Sequence, residues 1–448
     1  MERLNATHDP SRRSWVEEAN EPGCDFPIQN LPFGVFRHPG GRARGGVAIG
    51  AQVFDLTGAL EAGLFSGGAA AAARAATGPT LNPLLGMPRS ALRELRSRLS
   101  DLLRCSGPDA DSARALRSRL LIPLDSVQLE LPVAIGSYTD FSCSFTHMGG
   151  MRGGQPATAF FYVPIAYNGR ASSVRPSGFP VPRPYGQWAQ VPPEQDIRFG
   201  PEPRLDFELE FGAFVRAGNE LGAALTVDAA EARIFGCCLL NDWSARGIQF
   251  FESLLGPFLG KSFLTTVSPW IVTAEALAPF RVPLAARAEG VPAIPSHLDS
   301  EANRAAGGVD IELTAYLQTA KMRSANIEPL RIVRTDFRHM YWTLAQMLAH
   351  HTSNGCNLQA GDLLASGTTS GPEPDAKACL AEINQRGTRP LELPGGEERL
   401  WLEDGDSLQI RGMARREGYV SIGFGACDGH IAAAAPWSPE AVRHEPEA

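Results

Sequence analysis

The chain has 448 residues, enough for two or three domains and a sizeable core, and its 44% hydrophobic and 20% charged residues are the ordinary balance of a globular protein. A formal net charge of -8 with no basic stripe argues against nucleic acid or an anionic membrane as a main partner. Met1 to Asn20 is polar without an apolar core, no run approaches a membrane span, and none of the eight cysteines shares C-x-x-C spacing, so reduced thiols and a cytoplasmic location are expected.

In chain order, residues 1–24 are polar and read as a flexible N-terminal segment, with order beginning near Phe26-Pro27-Ile28. Gly46 to Leu56 reads as a hairpin, two short β runs around a small-residue turn. Gly67 to Ala76 is Ala-rich and helical, and Arg89 to Leu103 places Leu92, Leu95, Leu99 and Leu102 at helical spacing. The prolines of Ile122 to Pro132 suit a passage between an N-terminal module, residues 25–128, and a larger domain, residues 129–448. There the pattern turns to strands, expected at 205–215, 236–242, 310–319, 361–367, 407–414 and 418–424. Thr226 is placed to cap a helix through Ile234. Asp336 to Asn354 carries Phe337, Met340, Tyr341, Leu344, Met347 and Leu348 on one stripe and predicts a single long helix closed by Gly355.

The chemistry concentrates in Leu205-Asp206-Phe207-Glu208-Leu209-Glu210-Phe211. In an extended strand Glu208 and Glu210 share one face roughly 7 Å apart, while Phe207, Leu209 and Phe211 take the other. On a wet sheet face such a pair is simply solvated; joined to further acids it becomes a seat for a hard divalent cation. Asp242, at the tip of the apolar run from Ile234, and Asp140, seven residues before His147, supply two more. His147 opens a Gly-rich segment of the kind that lets backbone approach a ligand. His350-His351 fall at the end of the long helix, where histidine suits the dipole. Gly260-Lys261-Ser262 lacks the upstream glycine of a phosphate-binding loop, so Lys261 reads instead as a cation beside the acids.

Four blocks in order carry a resemblance: Gly169-Arg170-Ala171-Ser172-Ser173-Val174, Asn241-Asp242-Trp243-Ser244-Ala245-Arg246, Gly256-Pro257-Phe258-Leu259-Gly260-Lys261-Ser262-Phe263 and Gly361-Asp362-Leu363-Leu364-Ala365-Ser366-Gly367-Thr368. With Phe26 to Phe36 at one end and Gly423-Phe424-Gly425 at the other, nearly the whole chain resembles the fumarylacetoacetate hydrolase family. The resemblance implies a mainly β fold with some α, an SH3-like N-terminal domain followed by a mixed β-sandwich roll. It also implies a homodimer, a Mg²⁺ or Ca²⁺ ion, and hydrolysis of a carbon–carbon bond in a small 1,3-diketo acid from tyrosine catabolism. On the matching motifs Asp140, Glu208, Glu210 and Asp242 take the metal-ligand positions, with Lys261 and Thr265 around them. His147 takes that of the general base, and Glu382, fourteen residues past Thr368, that of its orienting carboxylate. Arg246, Gln249 and Lys261 match oxyanion donors, and Tyr167, Gln249 and Thr368 match substrate contacts.

The departures fall among the substrate contacts. Ser142 and Ser253 stand where the family has tyrosines, Asn168 replaces a histidine and Gly247 an aspartate. Arg152 aligns with a carboxylate-binding arginine only across a gap. A pocket that loses two buried hydroxyl donors changes specificity more readily than chemistry. The expectation is therefore fumarylacetoacetate or a close analogue. The alternatives are another β-dicarbonyl or 2-oxo acid, processed by hydrolysis, decarboxylation or isomerisation, and a noncatalytic metal-containing binding protein.

Overall fold

The computed structural model describes residues 2–151, 153–189, 196–287 and 289–437. The hairpin Arg44–Ile49 and Gln52–Asp55 pairs as the sequence suggests, and Phe33–Arg37 flanks it. Leu121–Pro123 closes the far edge, while Gln128–Glu130 pairs Phe33–Arg37. The helices Gly67–Ala75 and Arg89–Leu103 pack their apolar stripes beside these strands in one core with Val35, Val47, Phe54, Leu95 and Leu99. The N-terminal domain is thus β-based. Its sheet does not stop there, because Phe33 and Gly34 pair with Ile271 and Trp270 and join it edge to edge to the larger domain.

Residues 2–24 differ from the loose segment expected. Thr7, His8, Ser14, Val16 and Ala19 are buried, Trp15 Nε1 donates to Leu102 O at 2.8 Å, and Arg96 Nε donates to Thr7 Oγ1 at 3.0 Å. A polar composition hid this because the segment docks through hydrogen bonds more than through apolar bulk.

The composite sheet continues through Trp270–Thr273, Ile234–Asp242, Leu209–Val215, Leu363–Ala365, Tyr138–Phe141 and Ala166–Asn168. A second sheet, built on Ile311–Gln318, Leu330–Asp336, Ser407–Ala414 and Cys427–Ala432, faces it. Phe207, Leu209, Phe211, Leu239, Leu313, Ile410 and Phe424 share the core between them, so the apolar face of the Phe207–Phe211 alternation is turned inward as its period requires.

Several expected elements are shorter or broken: the strand at 205–215 is interrupted at Phe207 and Glu208, that at 361–367 is Leu363–Ala365, and that at 418–424 is only Ile422–Gly423. Thr226 caps Val227–Glu231 through Ala229 N, and the following strand already begins at Ile234. The single helix expected over 336–354 is a turn at Phe337–His339 and a helix at Leu344–Thr352. Between them Tyr341 N donates to Cys143 O at 2.9 Å, Trp342 is fully buried, and Thr343 with Gln346 forms a new capping box. The stripe stayed continuous because both pieces bury the same side against one core. Among the described residues no helix is long and apolar enough to cross a membrane.

Candidate active site

Three neighbouring stretches of the composite sheet deliver the acids. Glu210 lies in the strand Leu209–Val215, opposite Leu240 of the strand that ends in Asp242. Glu208 sits in a two-residue gap of strand pairing where its carbonyl accepts from Asp242 N at 3.1 Å and its amide donates to Asn241 Oδ1 at 3.2 Å. Asp140 comes from the far side of Leu363–Ala365, paired with Ala365. That intervening strand ends at Ala365, and Gly367 turns there with φ +75°. A Cβ on Gly367 would fall 2.1 Å from Phe141 O, so only glycine lets the chain leave and donate its N–H to Glu210 Oε2 at 3.1 Å. Carboxylate oxygens of Asp140, Glu208, Glu210 and Asp242 consequently lie within 4.8 Å of one another, all buried.

The surrounding cations reach some of these acids and not others. Lys261 Nζ bonds Glu208 Oε2 and lies 2.9 Å from Asp242 Oδ2, while Arg246 Nη1 is 2.8 Å from Glu208 Oε1. Burial opposes ionisation of Glu208, but the two cations outweigh it and hold its carboxyl well below the usual range. Lys261 reaches the site because Gly260 presses against Gln249, where a Cβ would come within 2.6 Å of Gln249 Cα. Thr265 Oγ1 and Tyr167 OH donate to the two oxygens of Asp242 at 2.8 and 2.7 Å. Asp140 Oδ1 and Glu210 Oε1, by contrast, are buried with no partner among the described residues. Burial and then the neighbouring carboxylates push both groups well above their ordinary values. Four converging carboxylates, two of which keep an unpaired buried oxygen, are the donor set of a hard divalent cation, so these residues fit a Mg²⁺- or Ca²⁺-type ion.

Beside the acids stands a second unit. Ser144 caps the helix Phe145–Gly150 by accepting from His147 N and is itself held by donating to Ser370 O at 2.6 Å. His147 Nδ1 then meets Glu382 Oε2 at 2.8 Å, and the same oxygen accepts from Ser370 Oγ at 2.5 Å and Cys379 Sγ at 3.4 Å. Burial raises the Glu382 carboxyl, but the facing imidazole and these hydrogen bonds prevail and keep it below its ordinary range. An ionised acceptor on Nδ1 places the imidazole proton there and leaves Nε2 as the free base.

A cavity of about 350 Å³ joins the two units. Its wall includes Asp140, Ser142, His147, Tyr167, Glu208, Arg246, Gln249, Lys261 and Thr368. Arg246 is fully buried, yet its Nη2 and the hydroxyl of Thr368 have no partner among the described residues. Gln249 Oε1 accepts from Arg246 Nη1 at 3.1 Å, which leaves its amide NH₂ free to donate. Ser253 is not among the residues of this wall; it is exposed in a short turn, where its hydroxyl donates to Phe250 O. Arg152 lies outside the described residues. His351 Nε2 pairs with Thr139 Oγ1 at 2.9 Å, apart from the acid cluster.

Sequence reasoning passed over Asp206, Glu202, Ser370 and Cys379. Asp206 lies in the same acidic run as Glu208 and accepts from Arg246 Nε at 2.8 Å. Glu202 accepts from Gly247 N and Ile248 N, at the start of the helix Arg246–Phe251. Their signal was the run itself, Glu202 to Glu210, of which half was used.

The fold and the site define an enzyme class in which a histidine–carboxylate pair stands beside a buried carboxylate cluster that could hold a metal ion. Residues 137–432 match the family model for the fumarylacetoacetate (FAA) hydrolase C-terminal domain, and residues 29–132 match that for the fumarylacetoacetase N-terminal domain. The chain belongs to the fumarylacetoacetate hydrolase family. It is 43% identical over 437 residues to the fumarylacetoacetase of Oryza sativa subsp. japonica, covering 95% of this chain and 98% of the relative. It is 42% identical to that of Bos taurus and 41% to that of Homo sapiens, each match covering 91% of this chain and 96% of the relative. A solved fumarylacetoacetate hydrolase from Exiguobacterium antarcticum, 18% identical, superposes with a TM-score of 0.51 over 90% of this chain and 99% of its own, a likeness of fold.

Proposed function

We propose that the chain hydrolyses the carbon–carbon bond of a 1,3-diketo acid, fumarylacetoacetate or a close analogue, to fumarate and acetoacetate. The observation that carries this reading is the His147–Glu382 pair opening on the same cavity as the four-carboxylate cluster. Relatives named fumarylacetoacetase, matched over most of the chain, support it. Asp140, Glu208, Glu210 and Asp242 would hold a Mg²⁺ or Ca²⁺ ion. Such an ion, when bound, supplies an electrophile for the diketone oxygens and lowers the energy of the departing enolate.

The remaining chemistry belongs to the chain. His147 Nε2 takes a proton from water, whose oxygen adds to the fumaryl-side carbonyl, while Glu382 stabilises the imidazolium through Nδ1–H. Negative charge grows on the carbonyl oxygen. The unpaired Nη2 of Arg246 and the free amide of Gln249 are donors for it, each worth about 3 kcal/mol in comparable sites. Collapse of the oxyanion breaks the carbon–carbon bond, and the enolate leaves and is protonated. Lys261 offsets the buried negative charge, and the Thr368 hydroxyl is a donor toward substrate.

The active unit is a homodimer in the cytoplasm. What supports a second copy is the apolar turn beside the cavity: Phe250, Phe251, Leu254, Leu255 and Phe258 are all exposed, Leu255 almost completely at 99%, although Leu255 also forms cavity wall. The purified protein is tested with Mg²⁺ and fumarylacetoacetate by following loss of the diketone absorbance. Turnover abolished by His147→Ala supports the reading; an inactive wild type that binds or converts a different dicarbonyl rejects it.

A further inference from the structure

Asp206 is fully buried, lines no part of the cavity wall, and yet accepts four hydrogen bonds. Its Oδ1 takes the amides of Phe207 and Leu380, both at 2.8 Å. Its Oδ2 takes Arg246 Nε at 2.8 Å and the amide of Ala381 at 3.1 Å. One carboxylate therefore holds two different parts of the site, and its Oδ2 alone touches both. One is the guanidinium whose free Nη2 serves the oxyanion. The other is the backbone immediately before Glu382, the carboxylate that orients His147.

We infer that Asp206 is the positioning residue that sets the oxyanion donor and the general base in one register. The inference rests on the proposed hydrolysis and adds to it a residue that touches neither substrate nor cation. Charge is needed as well as shape. A carboxylate offers four acceptor sites and no donor, which matches three N–H groups and a guanidinium N–H. An asparagine of the same shape presents an NH₂ on one side. With the amide nitrogen in the Oδ2 position it opposes both Arg246 Nε–H and Ala381 N–H, so the guanidinium and the segment bearing Glu382 are both disturbed; turned the other way it opposes Leu380 and Phe207 N–H, and that segment loses its other anchor. In neither orientation does the asparagine restore all four bonds, and the segment before Glu382 is disturbed in both.

The experiment measures steady-state kinetics on fumarylacetoacetate for wild type, Asp206→Asn, Glu382→Gln and the double variant, with metal stoichiometry by calorimetry and the Nδ1 proton of His147 by NMR. Asp206→Asn is expected to lower kcat by about 10²-fold with KM changed less than about threefold, since approximate placement of a donor or base already decides that much rate. It is also expected to shift or broaden the Nδ1 proton signal and to leave metal stoichiometry intact. The double variant is expected to lose far less than the product of the single losses, because Asp206 acts partly through Glu382. Multiplicative losses with an unmoved Nδ1 signal, or wild-type kcat in the variant, overturn the assignment. An inactive wild type refutes the hydrolysis itself, and the NMR signal still decides the positioning. If Asp206→Asn does not fold, an ester in place of the Ala381 peptide N–H removes one of the four bonds and otherwise only weakens the Leu380 carbonyl that accepts from Asn384 N, for which an ester at the Asn384 N–H is the control. A severalfold loss of kcat is then expected, and unchanged kcat overturns the assignment.

Discussion

Glu210→Gln should stabilise the metal-free protein and weaken its response to metal, reversing the order of stabilities between the two states. Without an ion, Glu210 either keeps its charge among Asp140, Glu208 and Asp242 or takes up a proton. Two unit charges 4.8 Å apart repel by about 3.5 kcal/mol at an effective dielectric near 20, so a single neighbour is enough to favour protonation. Holding a proton at pH 7 on a carboxyl whose ordinary value is 4.5 costs about 3 kcal/mol, which bounds the penalty from above. A group whose folded value is raised contributes fully below its unfolded value and loses that contribution as pH rises. The gain from Glu210→Gln should therefore be near zero at pH 4.5 and grow to about 1–3 kcal/mol by pH 7. Glutamine still accepts from Gly367 N and turns an NH₂ toward the remaining acids. With Mg²⁺ or Ca²⁺ at a hundred times its dissociation constant the wild type gains about 2.7 kcal/mol, and the variant, one ligand short, gains less. Urea unfolding followed by tryptophan fluorescence, in EDTA and in saturating metal at pH 5 and 7, measures all four terms. A variant less stable than wild type in EDTA at pH 7, or one with an undiminished metal increment, would refute the reasoning.

Glu382→Gln should lower kcat by about 10²- to 10⁴-fold while metal stoichiometry stays at the wild-type value, because it leaves the imidazole without its charged partner; a loss below tenfold by the diketone assay counts against His147 as base. Asp336→Asn tests a site away from the chemistry. Burial, with Asp310 adding to it, pushes the Asp336 carboxyl up to about 6 from 3.8, so its contribution is full below pH 3.8 and lost as pH rises through 6. The asparagine, still able to cap Arg338 N, should be about 1–2 kcal/mol more stable than wild type at pH 8 and equal to it at pH 4, with solvent screening allowed for; equal stabilities at pH 8 in thermal or urea unfolding contradict this. Leu254→Asp with Leu255→Asp should convert a dimer to a monomer by sedimentation and reduce activity through the cavity wall; a fully active monomeric wild type removes the homodimer.

Local periodicity carried much of the fold. The helix Arg89–Leu103 and the hairpin near Gly50 lie where leucine spacing and turn chemistry put them. The faces of Phe207 to Phe211 also follow from a period of two. The break at Met340–Thr343 did not show, since a stripe reports which side is buried and not whether the backbone between two turns stays helical. The position of Ser253 outside the cavity wall was not legible for a related reason. Glu252 Oε1 gathers the amides of Leu259 and Gly260 and closes a turn that leaves Ser253 outside, a tertiary event with no local period.

The acids between Glu202 and Glu210 show why residue type alone stops short of the site. Glu202, Asp206, Glu208 and Glu210 are chemically alike, and all are buried. What separates them is the donors they meet. Glu202 receives three backbone N–H groups and Asp206 three with a guanidinium, so both are satisfied by the chain itself. Glu208 is met by two cations, and Glu210 by the single amide of Gly367, with its other oxygen unpaired. Backbone donors are anonymous in a sequence, because every residue except proline carries one. The deficit at Glu210 and Asp140 becomes countable only when the neighbours are known, and a surplus of buried acceptors is what a cation requires. The same count separates Asp206, whose oxygens are satisfied by the chain, from Glu210, which keeps an acceptor to spare, although the two stand four residues apart in one run.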